Sequence, residues 1–459
     1  MRISAVLRRR ALRSRLALVT SILAMAACSS ATDSLLKADD PDIIFPEATR
    51  NAEGALGLAN GALGSLRDIG TGNESTWLFG GLLTDEWSTS STFPQNDETD
   101  QRRIQENNGQ VTSMLIRLYR ARVRAAEALT ALNKYSPASR AIIGEMYFAK
   151  GFAEMQLAQD FCNGIPLSNT VDGVPVPGEP STVAQVLTAA TLSYDSAMAF
   201  ANGTDTTSIR VNRQARIGKA RALLGLNQYD AAAALVSAIP TAYAYRNTFS
   251  LTTGSNTIWG QGFSAGRYVI GDSLEGNARN IPVKNALPFV SANDPRLPVA
   301  VLNSNGQDGL TRVRRTSMYG QLTPTDVVNG IDARMVEAEA ALKAGNVTLW
   351  LSIHNALRAA PPKLGEIQPA VMPPLTAPAT VAARINLHFR EKAFWTFSRG
   401  QRLGDMRRLV RQYGRAVTDV FPEGIHYKGG IYGVDVNFPI VTDEVGNNPK
   451  FKGCLDRKA

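Results

Sequence analysis

Residues 215–240, ARIGKARALLGLNQYDAAAALVSAIP, leave few folds open. Small and apolar side chains recur at helical spacing up to Leu226-Asn227. Tyr229-Asp230 then marks a tight turn, and a second alanine-rich helix runs until Pro240. Two antiparallel helices packed through small residues, a tyrosine near the turn and a closing proline make the tetratricopeptide pattern. A looser copy, DARMVEAEAALKAGNVTLWLSIHNALRA (332–359), turns at Gly345-Asn346. The copies lie far apart and the other candidates have irregular periods, so the expectation is helix pairs interrupted by insertions rather than a clean array.

Further helices fit this scheme. Residues 48–66 carry apolar side chains at helical spacing, and 111–135 do so more strongly through Leu115, Leu118, Val123, Ala126 and Leu129. Ser136 as N-cap with Pro137 at the first helical position predicts a helix over SPASRAIIGEMYFAKGFAEMQLAQDF that ends by Gly164-Ile165-Pro166. Thr182 and Gln185 have capping-box spacing at the head of the next helix. Insertions at about 67–105, 241–329 and 421–459 are rich in Gly, Asn, Thr, Ser and aromatics, and 361–380 is a proline-rich loop. The predicted fold is mostly α: a tetratricopeptide-like helix-pair scaffold with long, irregular, loop-rich insertions.

The N-terminus sets the compartment. Six arginines precede an apolar run from Leu16 to Ala27, too short to span a bilayer. Met25-Ala26-Ala27-Cys28 resembles a lipobox, which makes 1–27 a lipoprotein signal peptide, Cys28 the acylated N-terminus and 28–45 a polar tether. A plain secretory leader with Cys28 as bystander is the alternative. One domain is expected over 46–459. Loss of the leader lowers Lys+Arg from 49 to 43 against 40 Asp+Glu, so the net charge falls from +9 to +3. The basicity belongs largely to the leader, and no concentrated basic patch remains for nucleic acid. Cys162 and Cys454 are then an even pair in an oxidising compartment, which predicts a disulfide; two buried free thiols are the alternative.

Catalytic signatures are absent. The three histidines, His354, His388 and His426, lack zinc spacing, and there is no G-x-S-x-G, P-loop or GxGxxG. Asp85-Glu86 are adjacent carboxylates that point to different sides and do not make a glycosidase pair. No metal or cofactor is expected. Trp77, Trp87 and Phe93 in the first insertion, with Asn96 and Asp97, and Trp259, Phe263, Arg267, Tyr268 and Tyr319 in the second, supply the aromatic and polar groups that sugar sites use. Trp350 and Trp395 sit in helical pattern and are expected in the core.

Several segments, in order, resemble the SusD/RagB family of outer-membrane nutrient-binding lipoproteins: GGLLTDEWS (80–88), GEMYFAKGFAEMQLAQDFCNGIPL (144–167), NDPRL (293–297), ARMVEAEAAL (333–342), REKAFWTFSRGQRLGDMRR (390–408) and NFPIVTDEVGNNPKF (437–451). Two departures stand out. Trp395 and Arg399 occupy positions that are acidic in the family, and the arginine expected near Asn329-Gly330-Ile331 is missing. The resemblance implies a scaffold of four tetratricopeptide-like units beside an irregular ligand-binding half. It also implies a non-catalytic role in capturing oligosaccharides or similar nutrients for a TonB-dependent transporter. The Thr84-Asp85-Glu86 landmark makes Trp87 and Phe93 the first ligand candidates, with Trp259 and Tyr268 second. A protein-interaction scaffold and a surface glycoside hydrolase are the competing functions.

Overall fold

Helix caps written into the sequence start most of the scaffold. The computed structural model describes residues 50–171, 174–276 and 279–459. The leader, Cys28 and the tether lie outside them. Asn51 accepts a hydrogen bond from Gly54 N at 2.8 Å and opens α1, Ala52–Thr71. Two short helices follow, α2 (Thr76–Leu82) and α3 (Pro94–Asp100). Asn108 caps α4, Gly109–Tyr135, by accepting from both Gln110 N and Val111 N. α5, Arg140–Asp160, is buried on nearly every side, as a central helix must be. The expected capping box opens α6, Val183–Phe200: Thr182 Oγ1 accepts from Gln185 N at 3.2 Å and Gln185 Oε1 accepts from Thr182 N at 2.8 Å. α7 (Thr206–Gly225) and α8 (Tyr229–Val236) form the pair read from 215–240, but the turn falls earlier than read: Asn227 is left-handed at φ 62° between the helices, and Tyr229 and Asp230 already begin α8. α9 (Gly330–Lys343) and α10 (Val347–Ala359) form the looser copy.

Each of α1, α4, α5, α6, α7, α8, α9 and α10 packs on the next. That makes four successive helix pairs among the described residues. Small residues set the spacing: a Cβ on Gly218 of α7 would meet the Tyr194 ring of α6 at 2.5 Å.

Two more readings are corrected. Ser136 and Pro137 do not start α5. The Ser136 N–H donates to Leu132 O at 2.8 Å and so finishes α4, and Ser139 N–H closes the turn on Ser136 O at 3.0 Å. The residue before a proline resists helical geometry, and Ser136 sits at φ −144°. The 67–105 segment is not irregular throughout, since α1 runs on to Thr71 and α2 and α3 lie inside it. The 390–408 motif is two helices, α11 (Val381–Trp395) and α12 (Arg402–Tyr413). Ser398 (φ 55°) and Gly400 (φ 62°) break them apart, and Gly400 leaves room for Trp77, whose ring would lie 2.2 Å from an added Cβ.

The irregular half holds short antiparallel pairs. β1 (Trp87–Thr89) pairs with β3 (Tyr268–Ile270), matching Trp87 with Ile270 and Thr89 with Tyr268. β2 (Ala244–Asn247) pairs with β6 (Thr325–Asn329), and β4 (Val299–Asn305) with β5 (Arg312–Thr316). The C-terminal segment returns to the end of α5: Cys162 N donates to Phe438 O at 2.9 Å, and Asn163 N to Asp456 O at 3.2 Å. This brings Cys162 and Cys454 to a Cα separation of 6.0 Å, and they form a disulfide.

Candidate functional site

The charged residues of the recognised segments bind the segments to one another. Arg402 on α12 grips Asp85 with two hydrogen bonds of 2.7 Å, and Asp85 also accepts from Leu287 N at 2.8 Å. Arg296 of NDPRL joins Asp294 to Glu391 of α11. Arg408 of α12 pairs with Glu339 of α9, and Asp405 takes Lys392 at 2.7 Å. All of these residues are buried, where a charge persists only with a partner. The two departures from the family pattern also meet. Arg399 stands where the pattern has an acid and Asp332 lies beside the missing arginine; they pair at 2.7 and 2.9 Å.

Glu86 has no such partner. It is fully buried, one oxygen accepts from Ser398 N at 3.1 Å, and Oε2 has no hydrogen-bond partner. Burial pushes its pKa up to about 8, so the acid is protonated at neutral pH. Asp85 and Glu86 thus turn to different neighbours, one an ion pair and the other a neutral acid.

The four aromatic candidates separate by exposure. Trp87 is 4 % exposed; its ring packs at 5.3 Å against Phe397, and its Nε1 donates to Ser398 Oγ at 3.2 Å. Tyr268 is 2 % exposed and its hydroxyl accepts from Asn96 Nδ2 at 3.1 Å. Both therefore help to hold β1 against β3, and neither offers a free face for stacking. Trp87 still reaches the floor of a small cleft lined by Ile258, Trp259, Phe263, Arg315 and Tyr319. Phe93 and Trp259 are different. Phe93 is 36 % exposed at the head of α3, and Trp259 is half-buried at the rim of that cleft. Trp77, Tyr319, Trp350 and Trp395 are core.

A single local irregularity builds the exposed part. Asn256 caps a helical turn at Thr257–Trp259, which widens into a π-turn over Gly260–Ser264. The turn stacks Trp259 on Phe263 at 6.0 Å and 16°. Phe263 is 42 % exposed and carries the Arg315 guanidinium 4.4 Å above its ring. Just beyond the turn, Arg267 lies 4.5 Å over Phe93. Ser90 ties the strand to this loop by donating to Gly266 O at 2.8 Å, and Lys428 closes the edge through Ser91 O, Asp97 and Asp308. Arg315 and Lys428 were missed in the sequence. Arg315 sits in the polar run TRVRRTS, which gives no sign that it stacks on Phe263. Among the described residues there is no cluster of His, Cys, Asp and Glu suited to a metal.

No protein-family profile and no curated protein matches the chain. Solved structures do. A SusD superfamily protein from Parabacteroides distasonis superposes with a TM-score of 0.62 at 15 % identity, covering 88 % of this chain and 98 % of that one. The chain has the SusD-like fold. A SusD superfamily protein from Bacteroides fragilis matches at 0.61 and 12 % identity, over 89 % of this chain and 99 % of its own. A SusD-like carbohydrate-binding protein from Bacteroides vulgatus matches at 0.57 and 13 % identity, over 78 % and 83 %. Within the SusD-like fold, the helix pairs are the scaffold, and the aromatic π-turn belongs to the irregular half.

Proposed function

We propose that this chain is a non-catalytic carbohydrate-binding lipoprotein of the outer membrane, anchored through Cys28, that captures oligosaccharides and passes them to a TonB-dependent transporter. The stacked pair of half-buried Trp259 and exposed Phe263 carries the reading. Flat aromatic faces receive the C–H surface of a sugar ring, and the surrounding backbone and polar groups orient its hydroxyls. The SusD-like fold supports it, as does the carbohydrate-binding relative. The helix pairs present a broad rigid surface suited to a protein partner, whereas loops carry the side chains that choose a ligand. Among the described residues no helix is long and apolar enough to cross a membrane, so attachment rests on Cys28 in this reading.

Calorimetric titration of the full-length protein against an oligosaccharide panel tests the ligand. Binding that Trp259→Ala weakens without lowering the melting temperature is expected; no binding by any glycan refutes it. For the anchor, Cys28→Ser is expected to leave the membrane fraction. Recovery of a TonB-dependent transporter with the wild-type protein tests delivery, and a partner captured without any glycan affinity would favour an interaction scaffold instead.

A further inference from the structure

The arginines of the π-turn face have no counter-charge. The Arg267 and Arg315 guanidinium groups each lie over an exposed ring, Phe93 and Phe263. The Nε of each is buried and has no hydrogen-bond partner, and neither side chain forms an ion pair among the described residues. The acids nearby are already engaged. Glu275 holds Arg314 at 2.6 Å, while Asp97 and Asp308 both hold Lys428, at 2.8 and 3.1 Å. Burial alone acts on the Arg315 guanidinium and lowers its pKa, as expected for a cation with no acid beside it. Other arginines without a carboxylate find neutral acceptors when they are buried, Arg407 on the Ala158 and Gln159 carbonyls and Arg221 on Gln159.

We propose that this face selects anionic oligosaccharides, with Arg267 and Arg315, each held over a phenyl ring, receiving carboxylate or sulfate groups while the neighbouring Trp259 takes a sugar ring. The proposal rests on the carbohydrate-binding reading. A guanidinium presents paired N–H donors in one plane, which matches the geometry of a carboxylate or sulfate. Stacking on a ring fixes that plane in advance, so less freedom is lost on binding. Trp259 and Arg267 flank the same turn, so one loop places both an apolar platform and a cation. A neutral sugar would cover Trp259 and leave both guanidinium groups uncompensated.

The test uses matched glycan pairs titrated calorimetrically into the full-length protein: galacturonic acid oligomers and their methyl esters, sulfated and unsulfated galactan fragments, and glucuronoxylan and plain xylan fragments. The carboxylate and sulfate arms separate the two anion sources. The acidic member of at least one pair is expected to bind roughly tenfold more tightly than its neutral counterpart. Arg267→Gln and Arg315→Gln are each expected to remove most of that ratio, with Arg→Lys restoring part of it and melting curves unchanged. Raising salt should weaken the acidic ligand and leave the neutral one alone. Equal affinities within every pair, or a ratio that survives the double Gln variant, would overturn the proposal while leaving carbohydrate binding intact. Silence from every glycan overturns both readings.

Discussion

Replacing Glu86 by glutamine is expected to make the protein more stable, by an amount that grows with pH. In the unfolded chain this carboxyl titrates at its ordinary value of 4.5; in the fold burial raises it to about 8. Between these values the unfolded state is ionised and the folded state still holds its proton. The folded state therefore binds more protons, and stability falls as pH rises through the window. Each pH unit above 4.5 costs about 1.4 kcal/mol. At pH 7 the cost is about 3 kcal/mol, and it levels off near pH 8. Glutamine has the shape of the protonated acid. Its carbonyl can accept from Ser398 N as Glu86 does at 3.1 Å, and its NH2 stands where an O–H already lacks a partner. The variant thus keeps the local hydrogen bonding and loses only the pH penalty. For the compact unit from Asn51 to Ala459, with entropy of unfolding scaling with length, 3 kcal/mol corresponds to about 4 °C in melting temperature. The assay is urea unfolding of wild type and Glu86→Gln at pH 5, 6, 7 and 8, read by tryptophan fluorescence. Asp160, which burial raises to about 7, is present in both proteins and cancels in the difference. A difference that stays flat from pH 5 to 8 would mean that Glu86 is ionised in the folded protein, and the argument from burial would fail.

Asp85→Asn leaves Arg402 buried without its charge partner and should cost about 3–5 kcal/mol in urea unfolding, far more than an exposed ion pair such as Lys363–Glu366. Trp87→Ala should destabilise by about 3–5 kcal/mol as a cavity opens beside Phe397, whereas Trp259→Ala should leave melting nearly unchanged and weaken glycan binding. Cys454→Ser opens a disulfide that spans 292 positions, and a loss of up to about 5 kcal/mol is expected in non-reducing unfolding. Mass spectrometry of non-reduced tryptic peptides should find Cys162 linked to Cys454, and two alkylatable thiols would contradict the pairing.

Periodicity and capping are local, so much of the scaffold was legible before any contact was known. The α7–α8 and α9–α10 pairs, the Gly345-Asn346 turn and the Thr182–Gln185 box depend on neighbours within a few residues. The Cys162–Cys454 pairing was legible for another reason, since the leader led us to expect an oxidising compartment, where two remaining thiols leave one choice. Ser136-Pro137 misled because the same residues that can begin a helix can also finish the turn before one. In 390–408 the helical pattern continues across a break that only the approach of Trp77 to Gly400 demands.

The aromatic candidates show the limit most clearly. Trp87 and Trp259 look alike in sequence, each in a polar, loop-like setting. Trp87 donates to Ser398, 311 positions away, and is sealed by its neighbour Phe397. Trp259 stays half-buried at the rim of a cleft, just before a π-turn that no periodicity announces. By itself the sequence determined the helix pairs, the disulfide and the charged segments that hold the fold together, because caps, turns and buried ions constrain residue type wherever they occur. Only the tertiary structure decided which rings face water and which arginines lack an acid, because a loop side chain takes its surroundings from partners brought in from distant parts of the chain.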